Sequence, residues 1–282
     1  MTLLDFRHAQ ATRRSRIYSG RIRRALFGAG LRYPCVFVHL PKCGGTSLSE
    51  ALYATVPIQK RVGVIDAMST RRAASIMAFG QDNAWRCHDD LEHGHHTFDL
   101  REQMVLTHAC WGTDLVHGHV LMTDRVRTHL PGRYRFLTIM RDPIQRVISN
   151  YRMAVAAGIA DPDPDVWLQS PIARAHTTTY LRYLSGQHSV HPEAEDACLE
   201  RALSALDLFS LIGFLDDLDG FVQEFNTQFG AHLSLHKYNE AKGAQVCLSD
   251  AQMARLEEMC AADQAIYHRA RMIKGQPHAA AS

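Results

Sequence analysis

The stretch CVFVHLPKCGGTSLSEAL, residues 35–52, constrains this chain more than any other. CVFVH is a short β-branched and aromatic run suited to a buried parallel strand, and TSLSEALYATV carries apolar residues at helical spacing. Between them, Gly44 and Gly45 allow a tight turn whose backbone N–H groups can approach a ligand, and the following helix presents its N-terminus to the same spot. Lys42 adds a full positive charge, and Thr46 and Ser47 add hydroxyls. Every group offered is a donor, so the turn suits an anion with several oxygens, such as a nucleotide 5′-phosphate. An ordinary strand-to-helix turn with Thr46 as cap is the competing reading of this segment alone. A Walker A loop requires lysine after its last glycine, and here the lysine precedes the pair.

The same alternation continues along the chain. Strands are predicted at RVGVIDA, TDLVHGHV, YRFLTIMR and LFSLIGF. Helices are predicted at STRRAASIMAFG, capped by Ser69 or Thr70 and stopped by Gly80, and at DPIQRVISNYRMAVAAG, with Asp142 as cap, Pro143 in the first turn and Gly158 at the end. Further helices are expected at SPIARAHTTTYLRYLSG, HPEAEDACLERALSAL and DDLDGFVQEFNTQFG, and in a C-terminal segment opened by Ser249. The region from Gly80 to about Thr107 reads as loop. DPDPD reads as a turn whose acids are explained by proline spacing, not as a catalytic carboxylate pair. Strands alternating with helices predict an α/β protein: a P-loop-like three-layer α/β/α sandwich around a central, mainly parallel sheet.

At 282 residues and 46% hydrophobic content the chain can bury one sizeable core. The expected division is a basic N-terminal arm, 1–32, and a single domain, 33–282. The arm holds eight arginines against one acid, Asp5, leaving 23 basic and 28 acidic residues in the remainder. Such an arm can touch a membrane surface, nucleic acid or an anionic substrate, or merely carry charge into solvent. Seven scattered cysteines without a C-x-x-C pair predict reduced thiols and a cytoplasmic location. No run approaches the roughly 18 apolar residues of a spanning helix, and no signal-like apolar region opens the chain, so a soluble protein is expected.

PKCGGTSL resembles the 5′-phosphosulfate loop of sulfotransferases that use 3′-phosphoadenosine-5′-phosphosulfate (PAPS), particularly the carbohydrate, uronyl 2-O-like type, where P-K-T-G-G-T-S is the common form. Cys43 stands where threonine is usual. The resemblance implies a cofactor loop of Lys42, Cys43, Gly44, Gly45, Thr46 and Ser47, and a separate site for the 3′-phosphate. RDPIQRVISNY resembles the family's R-D-P-x-x-R-x-x-S-x-Y element, which implies that Arg141 and Ser149 hold that phosphate. Arg146 is expected to pair with a neighbouring acid instead.

LVHGHV resembles the H-G-H element of the uronyl enzymes. Histidine is the usual side chain with a pKa near neutrality, and the resemblance implies His119 as general base and His117 as a helper at the acceptor site. The implied reaction is in-line transfer of a sulfuryl group from PAPS to an acceptor hydroxyl, expected to be a carbohydrate. Lys42 and the loop amides would stabilise charge on the departing phosphate oxygen, and no metal ion is needed. TTTYLRYLSG, with His176 where asparagine is frequent, and LIGFLDDLDGFVQEF are weaker matches, and the matched segments together span about residues 34–273. Asn239 falls where the family tends to place an asparagine-containing loop and is given no role.

Other readings stay open. CHDDLEHGHH offers Cys87, His88, His93, His95 and His96 as metal ligands, although the spacing fits no standard site, and an exposed acceptor-recognition or disordered loop is the alternative. Two other functions compete: a nucleotide-dependent phosphotransferase, and a non-catalytic polyanion-binding module that uses the basic arm. Selectivity for a 3′-phosphate separates the first from a sulfotransferase, and deletion of residues 1–32 separates the second.

Overall fold

The computed structural model describes residues 3–28, 30–235 and 247–274, without the side chains of residues 3–11 and 45–47; Asn239 therefore lies outside the described residues. A long helix, α1 (Leu3–Phe27), precedes β1 (Cys35–Val38), which runs through the glycine loop into α2 (Gly45–Ala54). Then come β2 (Val62–Ile65), α3 (Ala67–Phe79), α4 (Gly94–Cys110), β3 (Leu115–Gly118), α5 (Asp124–His129), β4 (Arg135–Met140) and α6 (Pro143–Ala156). Four helices follow: α7 (Pro164–Leu168), α8 (Pro171–Thr177), α9 (Thr179–Ser185) and α10 (Glu195–Leu206). The chain continues with β5 (Phe209–Phe214), α11 (Leu218–Phe229), α12 (Asp250–Met259) and α13 (Ala261–Lys274).

The strands form one sheet in the order β2-β3-β1-β4-β5, with every neighbouring pair parallel. Helices flank the sheet, giving the three-layer α/β/α architecture expected from the alternation. β1 is buried along its whole length, as a central strand covered on both faces must be. The connections leaving β1 and β4 run to opposite sides of the sheet. That reversal opens a crevice at the carboxyl ends of these neighbouring strands, where ligands bind in open α/β sheets.

The five predicted strands all form, and α6 begins as expected, with the Asp142 carboxylate accepting from Gln145 N at 2.9 Å and Pro143 in the first turn. Elsewhere the structure corrects the sequence reading. The expected loop between Gly80 and Thr107 contains α4, whose inward stripe is Gly94, Thr97, Phe98, Arg101, Val105 and Ala109. Thr97 and Arg101 occupy inward positions, so the hydrophobic period that announces a helix is broken while the helical spacing remains. α3 is capped by Asp66, which accepts from Ser69 N at 2.7 Å, and not by Ser69 or Thr70. The single helix expected over SPIARAHTTTYLRYLSG is two, α8 and α9, meeting at Thr178. DPDPD ends in α7, capped by Asp163.

Candidate active site

The crevice is built on three adjacent strand ends. At the end of β1 the chain passes through His39, buried Leu40 and Pro41 into Lys42, whose φ of 65° makes it the only described non-glycine residue in the left-handed region. That conformation costs about 1–2 kcal/mol for an L-residue and persists where surrounding structure imposes it. Gly44 follows at φ 80°, immediately before α2; a Cβ there would stand 2.5 Å from Leu215 Cδ1. The loop thus sets the N-terminus of α2 close to the carboxyl end of β1. The side chains of Thr46 and Ser47 lie outside the described part of the structure.

Lys42 Nζ lies 3.6 Å from Met153 Sδ on α6. Partial burial and the nearby Arg141 guanidinium both lower the Lys42 pKa. Neither cation has a carboxylate within ion-pair distance among the described residues. Two like charges brought together without an acid favour an anion between them. Arg141 sits at the end of β4, and Ser149 is half-buried on α6, two turns further on.

A tyrosine that sequence reasoning left without a role joins loop and strand. Tyr180 of α9, fully buried, accepts from Arg141 N at 2.9 Å and donates to Arg141 O at 2.6 Å, while Cys43 Sγ lies 3.4 Å from its hydroxyl. Cys43 is buried and faces this clamp. Arg146 is also fully buried: it donates to Thr179 Oγ1 at 2.8 Å, to His176 O, and to Asp263 Oδ2 at 3.2 Å. It pairs with an acid, as expected, although the partner lies 117 residues away.

On the other side of β1, β3 carries the histidines. His117 and His119 share a sheet face with Phe37 and His39 because β1 and β3 run parallel in register. The rings form a stack, with His39 centred 4.3 Å from His119 and 5.1 Å from His117. His117 is buried and both its nitrogens are engaged, Nδ1 with Tyr53 OH at 2.6 Å and Nε2 with His39 Nδ1 at 3.2 Å. His119 Nδ1 lies 2.7 Å from His39 O. A carbonyl only accepts, so Nδ1 carries the proton and Nε2 keeps its lone pair; no described side chain bonds to it. Gly118 separates the two histidines because β2 passes close by: a Cβ there would lie 2.6 Å from Ile65 Cβ.

Burial is the main cause of the low basicity of these rings, pushing His117 down to about 3 and His119 down to about 4, with Arg101 adding to the shift at His119. Asp89 and the bond to His39 O pull His119 the other way. Arg101, fully buried on α4, donates to His119 O at 3.1 Å, to Asp89 Oδ2 at 2.9 Å and to Thr70 Oγ1 at 2.9 Å. Burial alone would raise Asp89, but Arg101 and Arg71 outweigh it and hold the carboxyl well below its usual range.

The histidine-rich stretch is tied into this network. Cys87, His88 and Asp89 are buried, and Arg182 of α9 holds Asp90 Oδ1 at 2.9 Å and Asp89 O at 2.6 Å. His93 and His95 each lie against His96 in tilted ring contacts, His93 and His96 also pack on Phe79, and His95 meets His188 edge-on. Two surface cavities of about 460 and 480 Å³ lie away from the glycine loop. One is lined by Arg61, His108 and Trp111 at the amino ends of β2 and β3; the other, by Trp85, Arg86 and His93, adjoins this stretch.

No protein-family model matches the chain, and no curated protein matches it in sequence.

Proposed function

We propose that the protein is a PAPS-dependent sulfotransferase that delivers a sulfuryl group to an acceptor hydroxyl, with carbohydrate as the acceptor class. The observation that carries this reading is the meeting, at the ends of β3, β1 and β4, of a histidine with an open Nε2, a lysine-glycine loop, and an arginine that has no acid partner among the described residues. PAPS supplies an activated sulfuryl group on a phosphate that leaves as a stable anion. Lys42, the loop amides and the α2 N-terminus hold that phosphate and stabilise its growing charge. Arg141 and Ser149 hold the 3′-phosphate, as the resemblance implies, and Tyr180 keeps Arg141 and the loop in register. His119 Nε2 takes the acceptor proton while the Nδ1–H stays on His39 O; Asp89 favours the imidazolium that results. His117, with both nitrogens engaged, holds His39 against His119 and acts as a positioning residue. Seven cysteines, none of them in a disulfide, support a reducing, cytoplasmic setting.

The test is turnover. The protein is incubated with PAPS and pooled hydroxyl acceptors, sugars prominent among them, and release of adenosine 3′,5′-bisphosphate is followed beside His119→Ala. Acceptor-dependent release that the variant loses is the expected result. Transfer of a phosphoryl group from ATP to the same pool would point to a phosphotransferase instead.

A further inference from the structure

No described helix is long and apolar enough to cross a membrane, but α1 has two distinct faces. One is docked. Arg13 pairs with Glu50, and Gly20 sits so close to α2 that a Cβ would come within 2.7 Å of Ala54 Cβ. Arg21 donates to Val56 O, Pro57 O and Lys60 O, the last at 2.7 Å, and Arg24 donates to His232 O at 3.1 Å. This side of the helix is committed to the domain.

The opposite side presents Tyr18, Ile22 and Leu26, which are 54%, 46% and 68% exposed. Residues spaced by four lie along one stripe of a helix. At about 100° per residue, exposed Arg14 stands about 40° to one side of Tyr18 and exposed Arg23 about 60° beyond Leu26. The apolar row is thus edged by a guanidinium on each flank, and neither arginine pairs with an acid of the described residues. Only Asp5 opposes the eight arginines of residues 1–32, and the rest of the chain is net acidic.

We propose that this outward face of α1 binds the surface of an anionic membrane, with the domain held on the aqueous side of the helix. The row Tyr18, Ile22 and Leu26 enters the boundary between headgroups and acyl chains, and Arg14 and Arg23 meet lipid phosphates from either side. A nucleic acid or sulfated polymer would use the arginines and leave the apolar row in water. A lipid surface uses both, and the proposal does not depend on the reaction catalysed.

The experiment is co-sedimentation of the full chain with vesicles of phosphatidylcholine alone and with about 30% phosphatidylserine, at about 0.1 M salt. Binding to the anionic vesicles is expected. Arg14→Gln/Arg23→Gln should weaken it about 25-fold, at about fivefold per arginine. Ile22→Ser/Leu26→Ser should also weaken it several-fold, because these side chains enter the boundary. All four residues are exposed, so thermal midpoints should match the parent. Failure to bind the anionic vesicles overturns the proposal, as does equal binding to both compositions. Binding that needs the arginines but ignores Ile22 and Leu26 also overturns it, and would assign the face to a polyanion.

Discussion

Replacing Arg146 with methionine tests whether this arginine supports the fold and not the nucleotide. The guanidinium and the Asp263 carboxylate are both fully buried, and the remaining partners of Asp263 are Tyr180 N and Leu181 N, each at 2.9 Å. Methionine fills much of the space but leaves a buried carboxylate without its counter-charge. Breaking such a pair costs about 3–5 kcal/mol. With an unfolding entropy of about 2.1 cal/mol/K per residue, a chain of 282 residues should lose about 5–8 °C in its thermal midpoint.

The loss has a defined pH dependence. Burial pushes Asp263 up to about 6, above the roughly 3.9 of an unfolded aspartate. The folded state therefore binds the proton more tightly, and ionisation of Asp263 costs stability as pH rises from about 4 through its folded pKa. Without Arg146 that cost grows, so the variant should lose little near pH 5 and the full amount near pH 8. Calorimetric melts at both pH values measure this, and Arg146→Met/Asp263→Asn should recover part of the loss at the higher one. A loss below about 1 kcal/mol at pH 8, or one independent of pH, would refute the reasoning.

Three further outcomes are expected. His119→Ala should cut turnover by about 10²–10⁴-fold and leave bisphosphate affinity intact; because the neutral ring is the active form, wild-type kcat/KM should stay level down to about pH 5 and fall only as pH drops through about 4, an acid limb near 6.5 being the contrary result. Gly44→Ala should cost about 1–2 kcal/mol in left-handed strain and displace Leu215, so thermal melts should show a lower midpoint and calorimetry a weaker nucleotide site. Tyr180→Phe leaves both backbone groups of Arg141 without their partner, which should cost about 1–3 kcal/mol in denaturant titrations and loosen the bisphosphate.

What could be read from the sequence was what is local. The β-branched runs announced every strand of the sheet, and Asp142 with Pro143 announced the start of α6, because a cap and the turn it serves are three residues apart. α4 escaped because two of its inward positions are Thr97 and Arg101, and Arg101 serves His119 and Asp89 instead of an apolar core. His39 was visible at the end of CVFVH, but its place beside His119 follows from the pairing of β1 with β3, about 80 residues apart, and no spacing within either segment reveals it. The same holds for Tyr180 and Asp263, whose partners are set by how α9 and α13 pack. The residues that position this site are tied together across long stretches of chain, whereas the glycine loop is one continuous motif.

The 3′-phosphate decides the reading of the site. Calorimetric titration with adenosine 3′,5′-bisphosphate, beside AMP, ADP and ATP, should show preferential binding of the bisphosphate that Arg141→Ala and Ser149→Ala abolish while both variants stay folded. A preference for ATP, or a bisphosphate affinity indifferent to Arg141 and Ser149, would contradict a PAPS-dependent sulfotransferase.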